Sequence, residues 1–128
     1  MKKYTTQETK FILAIEKALD ITAKQLPDDV ICRLNEMRTA ETSPSAKAFY
    51  DCYFENMDKA IATSRPICQD TGVVNFYVKV GTHFQLIDSL EELLIKAVER
   101  ATASVPLRHN AVETFVEKNT GTNMGTKV

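Results

Sequence analysis

Net charge is what this sequence has least of: sixteen lysines and arginines against seventeen aspartates and glutamates leave a formal charge of -1. Without a basic field, phosphate backbones and anionic lipid have nothing to draw them, which excludes nucleic acid as an expected partner. Long apolar runs are missing too. The stretch that starts at Phe11 is broken at once by Glu16, Lys17 and Asp20, a pattern of neither a secretory signal nor a membrane span. A cytoplasmic location with no membrane partner is the expectation. The three cysteines, Cys32, Cys52 and Cys68, are too few and too unevenly placed for a disulfide framework, so free thiols are expected. There is no P-loop, dinucleotide fingerprint or zinc-ligand spacing, and no internal repeat. Of only four glycines, two fall in residues 121–128, which carry no cap and no apolar element. A fold truncated at its C-terminal end is expected from that.

What is present fits one domain over residues 1–128, since 128 residues with 44% hydrophobic and 26% charged side chains have the balance of an ordinary globular unit. Thr5 and Glu8 form a capping-box signature ahead of Phe11, Ile12, Ile15, Ala18 and Leu19 at helical spacing, with Lys10, Glu16 and Lys17 on the polar face. Pro27, Asp28 and Asp29 start a second helix whose stripe is Val30, Ile31, Leu34 and Met37. Ser43 before Pro44 opens a third, with Phe49, Cys52, Tyr53, Met57, Ala60 and Ile61 on one face until Pro66. Residues 73–80 are β-branched and aromatic with alternation, which predicts a strand presenting Val74, Phe76, Val78 and Val80 on one side. Asp88 and Glu91 form a second capping-box pair ahead of a fourth helix through Leu93, Leu94, Ala97, Val98 and Ala101, and the remainder from Pro106 is expected to be mostly loop. The fold class is α+β and predominantly helical, with about four amphipathic helices and at least one strand. One strand holds no sheet alone, so this is expected to be the incomplete N-terminal part of a larger α/β subunit.

Two segments carry reactive side chains. Arg65, Pro66, Ile67, Cys68, Gln69, Asp70, Thr71 and Gly72 lie between a helix and the expected strand, where a loop can present groups from a rigid scaffold. A Cys68 thiolate can ligate iron, Gln69 can donate to a bound acid, and Asp70 can move a proton. The plainer alternative is a packed cysteine followed by a turn, because no C-x-x-C or second ligand lies nearby. In the later segment, Arg108 can clamp a carboxylate through two parallel bonds and His109 can donate a proton near neutrality. Alternatively Arg108 is solvated and His109 is a loop hydrogen-bonder. Cys32 and Cys52 fall on apolar helix faces and are expected to be buried structural thiols. Phe49, Tyr50, Tyr53 and Phe54 are expected to be core, and His83 is given no catalytic role.

Taken together, the run Ile67, Cys68, Gln69, Asp70, Thr71, Gly72, the segment closing at Gly81, and Leu107, Arg108, His109, Asn110 resemble the N-terminal region of the class I fumarase and tartrate dehydratase family of iron–sulfur hydro-lyases. Earlier stretches around Pro27, Glu41 and Asn56 resemble alpha subunits of its tartrate-specific branch, so the likeness spans nearly the whole chain. The resemblance implies a 4Fe-4S cluster held by three cysteines, with one iron open to act as Lewis acid on a hydroxyl leaving group. It implies that Cys68 is one cluster ligand, that Gln69, Asp70 and Arg108 contact the substrate, and that Asp70 is catalytic. The substrate implied is a small dicarboxylic hydroxy acid. His109, where many fumarases carry proline, tilts that from fumarate and malate toward tartrate. The implied partner is a beta subunit, in a heterotetramer. The family's other two ligand cysteines lie beyond residue 128, and Cys32 and Cys52 match no ligand position, so the chain alone is expected to be inactive. Two other readings of the residues compete with this one: a non-catalytic helical assembly module, which the apolar stripes fit equally well, and a thiol redox sensor at Cys68 activated by Arg65.

Overall fold

The computed structural model describes residues 3–68, 72–105, 107–113 and 115–124. They are mostly helical, with one small sheet. The helices are α1 (Thr6–Lys24), α2 (Asp28–Ala40), α3 (Pro44–Thr63) and α4 (Leu90–Ser104), and a single 3-10 turn, Ile87–Ser89, precedes α4. The chain divides into two compact units, one formed by Met1–Asp20 with Gln69–Val128 and the other by Ile21–Cys68.

In the first unit α1 begins as the capping box prescribes. The Thr5 hydroxyl accepts from the Glu8 N–H at 3.2 Å, and the Glu8 carboxylate accepts from the Thr5 N–H at 2.7 Å. Ile12 of α1 joins Leu86, Leu93 and Ala97 in the core, with Tyr4, Phe11, Ile15 and Phe84 packed around it. Phe11 and Phe84 meet as tilted rings 6.2 Å apart. On α4 the buried positions are Leu93, Ala97, Val98 and Ala101, one stripe at helical spacing in which two alanines let a neighbour approach closely. Polar bonds frame this core. Arg100 Nε donates to Glu16 at 2.6 Å and the Ser104 hydroxyl donates to its other oxygen at 2.7 Å. Glu16, expected on the polar face of α1, is the ion-pair partner of Arg100 on α4. The Ser104 hydroxyl and then the Arg100 guanidinium hold its carboxyl below the usual carboxylate range, against an opposing effect of burial.

Two expectations are corrected here. Residues 73–80 form no ladder among the described residues; the sheet is instead Val112–Glu113 (β1) against Lys118–Asn119 (β2), antiparallel, pairing Val112 with Asn119 and Glu113 with Lys118. A strand needs a partner, and alternation alone supplies none. The alternation does persist as exposure: Val73 and Tyr77 are 71% and 98% exposed, while Val74 and Phe76 line a largely apolar cavity of about 490 Å³ with Leu94, Ile95 and Val98. The tail, expected to be mostly loop, is so among the described residues apart from that short hairpin, whose turn includes Glu117 at φ 51°. Asp88 does not cap α4 but lies in the 3-10 turn, and no side-chain cap bond closes the helix start at Ser89.

The second unit holds the end of α1 with α2 and α3. Pro27 is the N-cap of α2, its carbonyl accepting the Ile31 N–H at 3.0 Å, and Asp28 and Asp29 occupy the first turn. The start of α3 is held by Glu41, whose carboxylate accepts the Thr42 and Ser43 N–H groups at 2.8 and 2.9 Å. Those bonds, Ser43 first, lower its pKa. The covered side of α3 runs through Ala46, Tyr50, Tyr53, Met57 and Ala60, of which Met57 and Ala60 are buried. Phe49, at 72% exposed, and Cys52 lie off that line, and Cys32 on α2 is exposed as well, which corrects the expectation of buried thiols and of Phe49 as core. The apolar arc of each helix is wider than the strip its unit covers. Arg38 of α2 bonds Asp51 of α3 and stacks over Phe54, 5.3 Å from the ring centroid.

Candidate functional site

The approach to Cys68 begins where α3 ends. Ser64 takes the left-handed conformation, φ 53° and ψ 44°. The Arg65 N–H donates to Ala60 O at 3.0 Å and the Ser64 N–H to Ile61 O at 3.3 Å, the paired bonds of a Schellman motif, with Pro66 next to prevent continuation. Ile67 is held at both of its polar groups. Its N–H donates to Ala23 O in the last turn of α1 at 3.0 Å, and its carbonyl accepts Asn56 Nδ2 at 2.7 Å. Cys68 follows as a free, exposed thiol at the end of this unit. Gln69 and Asp70 lie outside the described residues.

Arg108 and His109 belong to the other unit, both exposed, just past the end of α4. Val105 caps that helix through its N–H to Ala101 O at 2.7 Å. The segment is then pinned by asparagines. Asn119 donates to the His109 carbonyl, and its Oδ1 accepts the Gly121 N–H at 2.8 Å, an Asx turn. The Asn110 N–H donates to Asn123 Oδ1 at 3.0 Å, and Asn123 Nδ2 donates to the Thr102 hydroxyl on α4 at 3.2 Å. The Asn110 side chain donates to Gly72 O at 2.9 Å. Gly72, at φ 71°, ends the first motif, so the structure brings the close of one sequence-derived segment against the middle of the other. Cys68 and Arg108 fall in different units.

Asn56, Asn110, Asn119 and Asn123 shape these segments through bonds that the sequence patterns did not assign to them. Each acts by a side-chain bond to a loop group distant in sequence, which leaves no periodic signal. Among the described residues no group of three His, Cys, Asp or Glu side chains is close enough to hold a metal. Cys68 therefore has no such group around it among the described residues. Among the described residues the apolar cavity beside α4 offers Glu91 and Asn123 as its polar lining and includes neither Cys68 nor Arg108. Among the described residues no helix is long and apolar enough to cross a membrane.

Comparison with known proteins agrees with the motifs. The chain is 48% identical over 122 residues to the L(+)-tartrate dehydratase subunit alpha of Escherichia coli K12, a match covering 90% of this chain and 40% of that protein. The same subunit of Escherichia coli O157:H7 is 48% identical over the same span. A protein of Methanocaldococcus jannaschii, provisionally named as that subunit, is 36% identical over 103 residues, 78% of this chain and 36% of its own. The chain thus spans about 40% of the length of these curated Escherichia coli relatives that it matches. The family model described as fumarate hydratase (Fumerase) matches residues 12–128. With a match over nearly all of its length, the chain belongs to the fumarate hydratase (Fumerase) family.

Proposed function

We propose that the chain is part of the alpha subunit of a hydro-lyase that dehydrates L(+)-tartrate to oxaloacetate and water, and that it is inactive without the rest of that enzyme. The 48% identity to L(+)-tartrate dehydratase subunit alpha over 90% of the chain carries this reading. In the reaction a proton leaves one carbinol carbon and the hydroxyl leaves its neighbour, giving an enol that tautomerises to the ketone. Arg108 suits a substrate carboxylate, since its planar fork offers two parallel donors from an exposed, pinned segment. Gln69 contacts the bound acid, and Asp70 takes the proton or orients the group that does. Cys68 contributes one thiolate to a 4Fe-4S cluster whose other ligands come from polypeptide outside these 128 residues. Its exposure at the end of an anchored segment supports that role. The partners are a beta subunit, in a heterotetramer, and the location is the cytoplasm, where three exposed free thiols stay reduced.

Fumarate and malate are the second substrate pair, favoured by the description of the family model. The test is anaerobic iron–sulfur reconstitution of this chain with and without the remaining alpha and beta polypeptide, followed by visible absorption and by turnover of tartrate and fumarate. Cluster absorption and tartrate turnover are expected only in the completed assembly, and both are expected to vanish in Cys68→Ser. Fumarate turnover without tartrate turnover would shift the substrate. A completed assembly that takes up no iron, or is indifferent to Cys68, would leave a non-catalytic assembly module as the better reading.

A further inference from the structure

The run formed by Cys68, Gln69, Asp70 and Thr71 is flanked on each side by an asparagine amide that donates to a main-chain carbonyl. Before it, Asn56 holds Ile67 O at 2.7 Å, and the N–H of the same residue is held by Ala23 O at 3.0 Å. After it, Asn110 holds Gly72 O at 2.9 Å. Each bond lies within its own unit. Asn110 is in turn fixed through Asn123 to Thr102 on α4, two residues from the Arg100 that anchors Glu16.

Both flanking bonds lie at exposed positions, where a neutral hydrogen bond contributes modestly to stability because water competes for both partners. What such a bond does supply is placement. An amide donor also carries no charge, so it fixes a carbonyl without adding a cation that would compete with Arg108 for a carboxylate. We propose that Asn56 and Asn110 are positioning residues of the candidate site. Asn56 fixes the main chain immediately before Cys68, and Asn110 ties the Gly72 end of the motif to the segment that bears Arg108. This rests on the functional reading above and assigns two residues to it.

Two arms test it. In the first, amide hydrogen exchange is followed by NMR on the full 128-residue chain carrying Asn56→Asp or Asn110→Asp, which keep side-chain shape but remove the donor. Exchange of the Ile67 amide in the first variant, and of the Asn110 amide in the second, is expected to quicken about tenfold, with the melting temperature little moved. Unchanged exchange overturns the proposal whatever the enzyme does. In the second arm the same variants are assayed in the completed assembly. There kcat is expected to fall on the order of ten- to a hundredfold in both, while KM rises only in Asn110→Asp. Wild-type kcat and KM despite loosened amides would make the bonds merely structural and overturn the proposal. Asn56→Ala and Asn110→Ala must reproduce the pattern; a response confined to the aspartates would assign it to the new charge and overturn it as well. A wild-type assembly that turns over neither tartrate nor fumarate sinks the functional reading, and with it any catalytic purpose for the two amides. The exchange arm would still decide whether they fix the main chain.

Discussion

α2 and α4 carry apolar stripes of similar length, yet α4 buries Leu93, Ala97, Val98 and Ala101 while α2 buries no residue fully. Val30 and Met37 of α2 stay 39% and 46% exposed, whereas Leu93 and Ala97 of α4 are wholly covered. An amphipathic pattern states which face of a helix is ready to be covered. Whether anything covers it depends on partners that the pattern does not contain. In α4 the small residues at 97 and 101 permit close packing, and Ile12 and Leu86 complete the core around Leu93 and Ala97. α2 is held by contacts at its edges, such as the ion pair between Arg38 and Asp51.

The sharpest way to break this contrast is to truncate each stripe. Leu93→Ala should cost about 2–5 kcal/mol in urea unfolding, as removal of a fully buried leucine does, whereas Met37→Ala should change stability by no more than about 0.5 kcal/mol. Equal losses would show that α2 is as much a core helix as α4. A smaller effect is expected at Glu16. Because its folded pKa lies below the ordinary carboxylate value of 4.5, its contribution is fully present above about pH 4.5 and is lost as the pH falls through the folded value. Glu16→Gln should therefore destabilise by about 1 kcal/mol at pH 7, an amount that already allows for screening of the half-exposed Arg100, and by progressively less as the pH is lowered below about 4.5. A loss independent of pH would mean that packing and not charge holds Glu16. The smallest effect belongs to the second unit. Arg38→Met should cost a few tenths of a kcal/mol, about half of it removed in the parent protein by 1 M NaCl, since Arg38 and Asp51 are both substantially exposed. A loss well above 1 kcal/mol would make the α2–α3 pairing far more than an edge contact.

Local chemistry was the legible part of the fold. The Thr5 and Glu8 reciprocal bonds, the start of α2 at Pro27 and the start of α3 at Pro44 all follow from residue types within one turn of one another. What depended on distant partners was not. Residues 73–80 have the composition of a strand but no ladder, and the two-residue strands β1 and β2 are too short to raise any alternation signal. Asp88 and Glu91 have the capping-box spacing that worked at Thr5, yet the 3-10 turn moves the helix start past Asp88. For the site, the family resemblance singled out Cys68, Gln69, Asp70 and Arg108, and the structure describes the surroundings of Cys68 and Arg108. Their supports, Asn56 and Asn110, reach across 11 and 38 residues of sequence and could be seen only once the chain was folded.

The bond from Ile67 back to Ala23 makes the setting of Cys68 a matter of timing. Its two ends are separated by all of α2 and α3, so it closes only when the chain has returned to the end of α1. Contacts of such long sequence separation bear the full entropy of loop closure and tend to form late. Cys68 therefore reaches its anchored place only when the two ends of the second unit have met. Whatever binds that thiol in place finds it so only in copies in which they have.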